Sequence, residues 1–211
     1  MNNDIIIGII ARDETINNTT YQAITKNNLK YLDGKCTYIG ILNYDNKKDI
    51  NKKLISICDG IIFQGGSDIY EYHFNLLKEA IKMNKPILGI CMGHQIIGLY
   101  SNKEKEKDLK KVDNHYNYTK KHNININKNS ILYNLYGSNL QVNSRHLYTL
   151  NKISKPFICS AISDDGEIES IEYISRNKCI IGVQWHPEDM DNMSKLYNYF
   201  IKKVKENKNK D

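Results

Sequence analysis

No stretch of this chain is apolar for long enough to cross a bilayer or to form a signal-peptide core; the first apolar run, Ile5 to Ala11, reads as a strand instead. Proline is scarce, three in 211 residues, and no Gly/Pro/Ser-rich stretch separates one half of the chain from the other. A two-domain layout joined by a linker is therefore excluded, and residues 1–211 are expected to form one domain with ample material for a core. The five cysteines form no closely spaced pair, which argues against a disulfide framework and for a reducing, cytoplasmic setting. The histidines are equally dispersed along the chain, with no ligand-like spacing, so neither a metal nor an organic cofactor is expected. Long blocks of one charge are missing as well. The net charge is +6, but the cluster Lys103 to Lys111 is interrupted by Glu104, Glu106 and Asp108, and Lys202 to Lys210 reads as a solvated helix end. No nucleic-acid or membrane partner is expected. A basic face that attracts an anionic substrate stays open.

What is present is an alternation of strand and helix. Asp4 to Ala11, Thr37 to Leu42, Ile61 to Phe63 and Pro86 to Ile90 are short apolar runs. Between them, helical spacing appears at Thr20 to Leu32 (Tyr21, Ile24, Leu29, Leu32), Ile50 to Cys58, and Glu71 to Met83 with Phe74, Leu77, Ala80 and Ile81 inward. Continuous apolar runs, rather than alternation, mark strands covered on both faces. The expectation is an α/β fold with a doubly wound, mostly parallel sheet. Past the polar segment 101–121 the texture changes. His122 to Asn127 alternates, Leu140 to Asn143 is short and apolar, and Phe157 to Ser163 and Ile168 to Ile174 flank the turn Asp164-Asp165-Gly166-Glu167. These predict a small antiparallel extension. Cys179 to Val183 is a further buried strand, and an amphipathic helix is expected from about Met190 to Val204.

Cys91 stands where the run Pro86 to Ile90 turns into a helix, with Gly89 and Gly93 on either side. Glycines there permit a tight, strained turn, and the helix start favours thiolate over thiol. Taken alone, such a residue is either a nucleophile on an elbow or a small buried apolar side chain. Two other segments fall at strand ends on the same expected edge of the sheet: Gly65-Gly66 and His186-Pro187-Glu188. His186 can act as general base and acid, Glu188 can orient its ring, and the N–H groups at Gly66 and Met92 can form an oxyanion hole. Each also has a plain reading: an exposed histidine, an acid in a helix first turn, an ordinary glycine turn.

Together these segments resemble class I glutamine amidotransferase-like domains, and more narrowly the gamma-glutamyl hydrolase branch (peptidase C26, including gamma-glutamyl-GABA hydrolases). The likeness rests on Gly65-Gly66-Ser67-Asp68-Ile69, on Pro86 to Gln95, on Val142-Asn143-Ser144-Arg145-His146, on Asp165 to Glu172, and on Gly182 to Glu188. It implies a flavodoxin-like fold with Cys91 as nucleophile, His186 as base and Glu188 as its orienter. It implies the backbone N–H groups of Gly66 and Met92 as oxyanion hole, with Gly65 beside them and Gln95 near the glutamyl head group. Asn143, Ser144, Arg145 and His146 are implied as substrate-lining, and His94 as a supporting residue.

The expected activity is hydrolysis of a gamma-glutamyl amide, releasing glutamate and an amine through a gamma-glutamyl thioester. Arg145 would suit an acidic leaving group. The alternative is a glutaminase subunit that supplies ammonia to a partner synthase. A small-molecule substrate is expected in either case, and the oligomeric state, a homodimer being one option, is left open. The chain departs from the gamma-glutamyl-GABA pattern after Gly65-Gly66, where it enters the Tyr70-Glu71 helix almost at once, and at Tyr100-Ser101-Asn102-Lys103 and Leu147. The GABA amide itself is therefore not the expected substrate.

Overall fold

In the computed structural model, which describes residues 4–43, 52–175 and 177–210, the apolar runs pair into one large sheet. Its strands are β1 (Ile6–Ile10), β4 (Thr37–Ile41), β5 (Gly60–Phe63), β6 (Ile87–Ile90), β8 (Tyr116–Ile126), β9 (Asn139–Arg145), β11 (Phe157–Ser163), β12 (Ile168–Tyr173) and β13 (Ile180–Val183). Their order is β4-β1-β5-β6-β13-β12-β11-β8-β9. The first five run parallel. The remaining four pair antiparallel and form the extension.

The helices are α1 (Lys52–Ile57), α2 (Glu71–Lys82), α3 (Met92–Asn102), α4 (Ile131–Tyr136) and α5 (Ser194–Lys208). Neighbouring residues on the parallel strands enter opposite cores. Ile7, Ile9, Ile62, Leu88, Ile90, Ile181 and Val183 pack with Leu196, Tyr197, Phe200 and Val204 of α5. Ile61, Phe63, Ile87 and Ile180 pack with Leu76, Leu77 and Ala80 of α2 and Ile96, Ile97 and Leu99 of α3. This two-sided burial is why the strands read as continuous apolar runs.

Three expectations change. Thr20 to Leu32 is not a helix. Arg12–Ile16 (β2) and Thr19–Ala23 (β3) form a hairpin, and Lys26–Leu29 is a single 3₁₀ turn. Asn17 and Asn18 both take positive φ, 50° and 62°, the conformation that a two-residue hairpin turn requires. Tyr21, read as one of the residues at helical spacing, is 52 % exposed. The last helix starts at Ser194 rather than Met190, because Pro187–Asp189 forms its own 3₁₀ turn. On α2, Tyr72, His73 and Leu76 are buried together with Leu77 and Ala80, whereas Phe74 and Ile81 sit at the margin. Ile50 lies outside the described residues.

The polar segment 101–121 also acquires structure. Lys110–Lys111 (β7) pairs with Tyr148–Thr149 (β10), and β8 begins at Tyr116. Helix α4 has no counterpart in the sequence reading; the Ser130 side chain caps it, and the Glu172 carboxylate accepts from the N–H groups of Ile131 and Leu132. No helix among the described residues is long and apolar enough to cross a membrane.

Candidate active site

At the carboxyl edge of β6 the chain reverses into α3, and Cys91 takes the turn with φ 51° and ψ −103°. That conformation is strained for any residue with a Cβ. It is held from both sides, since the Cys91 N–H donates to Val183 O at 2.8 Å and the Cys91 carbonyl accepts from Gln95 N–H at 3.1 Å. Gly93 is required here: a Cβ on it would lie 2.1 Å from the Phe63 carbonyl oxygen. The Cys91 thiol sits at the start of α3, where the Met92 N–H belongs to the first-turn donors that have no acceptor within the helix.

The next strand over, β13, delivers His186. The Asn143 side chain grips the backbone of His186 twice, accepting from its N–H and donating to its carbonyl, each at 2.8 Å. The ring nitrogen Nδ1 lies 2.7 Å from Glu188 Oε1, and the Glu188 carboxyl is buried. The ring also meets the Cys91 thiol. Burial pulls the imidazole down, but the Cys91 sulfur and the Glu188 carboxylate outweigh it and raise His186 to about 10. Gly65 lets the ring reach this position, because a Cβ there would stand 2.6 Å from His186 Cε1. The Gly65 carbonyl accepts from Arg12 Nη1 at 2.9 Å. In a planar trans peptide the Gly66 N–H points away from that anchor.

A cavity of about 270 Å³ opens over Cys91, His186 and Glu188. Gly66, Ser67, Thr25, Tyr116 and Tyr118 form part of its wall, and Arg12, Glu14, Arg145 and Asp189 bring both signs of charge to it. Arg145 is ion-paired with Asp189 and lies over the Tyr118 ring. Against the pull of burial, hydrogen bonds from Asn27 and Arg145 hold the Asp189 carboxyl below the usual range. A larger cleft of about 830 Å³ beside Lys128, Tyr173 and Lys203 contains none of the groups just described.

Several residues expected to line the substrate do not. Gly65 lies behind His186, and Asn143 is occupied with the His186 backbone. Gln95 donates to Tyr148 O at 2.7 Å and to Gln184 Oε1 at 3.2 Å, while Gln184 Nε2 approaches the Cys91 sulfur at 3.7 Å. Gln95 thus supports the residue next to the thiol. Strand alternation splits the Asn143 to His146 motif: Asn143 and Arg145 face the cavity side, whereas Ser144 and His146 are buried against His115 on the other. Arg145, expected to face an acidic leaving group, already has Asp189 as its counter-ion. His94 is fully buried against Gly182, away from the cavity, and burial lowers it to about 4. The sequence reading missed Arg12, Gln184, Tyr116, Tyr118 and Asp189. Only the motif Gly182 to Glu188, which contains Gln184 and ends beside Asp189, gave a signal for these two; Arg12 and the tyrosines enter through the unforeseen hairpin and β8.

The sequence profile of the peptidase C26 family matches residues 70–188, more than half of the chain. The chain belongs to this family. As a peptidase C26 member it is similar to the glutamine amidotransferase-like protein YvdE of Lactococcus lactis, 28% identical with 70% of this chain and 73% of that one covered. It is also similar to a glutamine-hydrolyzing GMP synthase subunit of Picrophilus torridus, 30% identical with 74% and 82% covered. Among solved structures, a GMP synthase subunit protein from Thermoplasma acidophilum superposes with a TM-score of 0.71 over 97% of this chain and 96% of its own, at 18% identity. The glutaminase domain of a Trypanosoma brucei CTPS superposes with a TM-score of 0.70 over 96% and 94%, at 17% identity. These likenesses make the sheet the flavodoxin-like one of glutamine amidotransferases.

Proposed function

We propose that this peptidase C26 member is a cysteine hydrolase of gamma-glutamyl amides. The observation that carries the reading is the His186 ring, hydrogen-bonded to the buried Glu188 and in contact with a thiol on a strained turn at the cavity floor. In this reading Cys91 thiolate attacks the gamma-carbonyl and a C–S bond forms. The oxyanion is received by the N–H groups of Gly66 and Met92, and loss of one such donor costs about 3 kcal/mol of transition-state stabilisation. Protonated His186 gives its proton to the departing nitrogen as the C–N bond breaks, leaving a gamma-glutamyl thioester. His186 then takes a proton from water, hydroxide adds to the thioester, and glutamate leaves as the thiol is restored. Glu188 keeps the ring oriented throughout.

The charges around the cavity support a glutamyl head group. Its α-ammonium and α-carboxylate would exchange into the Arg12–Glu14 and Arg145–Asp189 ion pairs of the wall, which bring both signs of charge there. All five cysteines are free, which supports a reducing, cytoplasmic setting. A second reading, a glutaminase that feeds ammonia to a partner synthase, is favoured by the GMP synthase subunits found among the relatives. One experiment separates the two. Purified protein is offered glutamine and a panel of gamma-glutamyl amides without any partner, and glutamate release is measured. The hydrolase reading expects turnover of some gamma-glutamyl amide, lost in Cys91→Ala with the fold retained. Near-inertness on the whole panel, relieved only by a synthase, would decide for the second reading.

A further inference from the structure

The histidines that are dispersed along the chain converge in space. His115 precedes β8, His122 lies within it, His146 follows β9, and Glu169 is on β12. His115, His146 and Glu169 are buried, the last completely. Three ring nitrogens surround one oxygen, Glu169 Oε1: His122 Nε2 at 3.1 Å, His115 Nδ1 at 3.5 Å and His146 Nε2 at 3.5 Å. His115 Nδ1 and His146 Nε2 are 3.2 Å apart. Yet neither Glu169 oxygen accepts a hydrogen bond of sound geometry, and His122 Nε2 makes none. A carboxylate this deeply buried is strongly disfavoured unless a cation answers it.

The outer partners fix which nitrogens face the cluster. His146 Nδ1 lies 3.2 Å from the Tyr148 carbonyl, which can only accept, so Nδ1 holds the proton and Nε2 presents a lone pair. With His115 Nε2 2.9 Å from the Asp165 carboxylate, its Nδ1 is the nitrogen left to face His146 Nε2, 3.2 Å away, and a proton or a metal ion fits between them. The Ser144 hydroxyl gives its hydrogen to the His115 carbonyl at 2.6 Å and has none left for Nδ1. One cation, a shared proton or a metal ion, is what this pair of nitrogens beside the buried Glu169 carboxylate calls for.

We propose that His115, His146 and Glu169 bind one divalent transition-metal ion, zinc by chemical preference, with His122 the ring placed to join them. The three donor atoms are separated by 3.2, 3.5 and 3.5 Å. Nitrogen and oxygen ligands held at 2.0–2.1 Å on a tetrahedral ion stand roughly 3.3 Å apart. Imidazoles with one carboxylate suit zinc-like ions rather than calcium or magnesium. Asp165 and the Tyr148 carbonyl are the outer acceptors that ligating histidines ordinarily have. The site is closed to solvent and its task is structural. It ties β12 to the β8–β9 pair, and so braces the strands that carry Asn143 and lead through β13 to His186.

The test is a titration of chelator-treated, full-length protein with Co²⁺, read by visible absorption, and with Zn²⁺, read by calorimetry and thermal melting. Wild type should bind about one equivalent of either ion and melt higher with Zn²⁺. His146→Gln and Glu169→Gln should lose the Co²⁺ band. Asp165→Asn, a change at an exposed side chain, should weaken binding about 10–100-fold. His186→Ala should keep the band, although it disrupts the other His/carboxylate grouping among the described residues, that of His186, Glu188 and Asp189. Absence of band and heat in wild type would overturn the proposal and leave a proton as the shared cation. So would a band lost in His186→Ala but kept in His146→Gln.

Discussion

At the scale of single residues, the chemistry depends on close approaches that leave no spare volume. Gly65 has no side chain because His186 occupies the place where one would be, with 2.6 Å between a built Cβ and His186 Cε1. Gly65→Ala should push the ring off its partners and lower kcat by about 10²-fold, since small misplacements are that costly in catalysis. Overpacking should cost only about 1–3 kcal/mol of stability, so melting should show a folded protein. Undiminished turnover in that variant would contradict the geometry. His186 also sets a pH dependence. Its value is raised from 6.5 to about 10, so its contribution to stability is complete below pH 6.5 and is lost as pH climbs through 10. In Cys91→Ala, which removes the sulfur that helps to hold the proton, the alkaline loss measured by urea unfolding should shrink.

At the scale of elements, some of the structure was legible in the sequence and some was not, for identifiable reasons. Strands β1, β5, β6 and β13 could be read because both faces are buried and nothing dilutes the apolar run. The β2–β3 hairpin could not, because it is largely exposed and its signal is the paired left-handed Asn17-Asn18, not a hydrophobic period. Leu29 and Leu32 mimic helical spacing while packing from a 3₁₀ turn and the turns after it. The Asn143 to His146 motif was visible as a motif, but its division between two faces depends on the strand register of β9. The helices predict an acid limit. His73 on α2 and His94 on α3 are both lowered from 6.5 to about 4 by burial. Between pH 6.5 and 4 the unfolded chain takes up protons that the native state refuses, so stability must fall as pH drops through that window. The urea midpoint should decline steadily there, and His73→Gln should flatten part of the slope. A midpoint constant from pH 6.5 to 4 would contradict the burial of both rings.

At the scale of the whole molecule, the sheet brings three distant segments to one edge. Gly65-Gly66 follows β5, Cys91 follows β6 and His186 follows β13, and these three strands are consecutive neighbours in the sheet. That convergence could be anticipated from three strand ends. The walls of the cavity could not, since Arg12 and Tyr118 reach it from a hairpin and from the antiparallel extension. In the proposed reaction the wall selects the departing amine, and the elbow with the His186–Glu188 pair acts on the bond that breaks. The central claim, a gamma-glutamyl thioester on Cys91, is tested most directly by mass spectrometry. The protein is mixed with an activated gamma-glutamyl anilide, quenched in acid, digested and measured peptide by peptide. The account predicts the added mass of one glutamyl residue on the peptide that carries Cys91, and neither adduct nor turnover in Cys91→Ala. Turnover that survives in Cys91→Ala, or an adduct confined to Cys36, Cys58, Cys159 or Cys179, would contradict it.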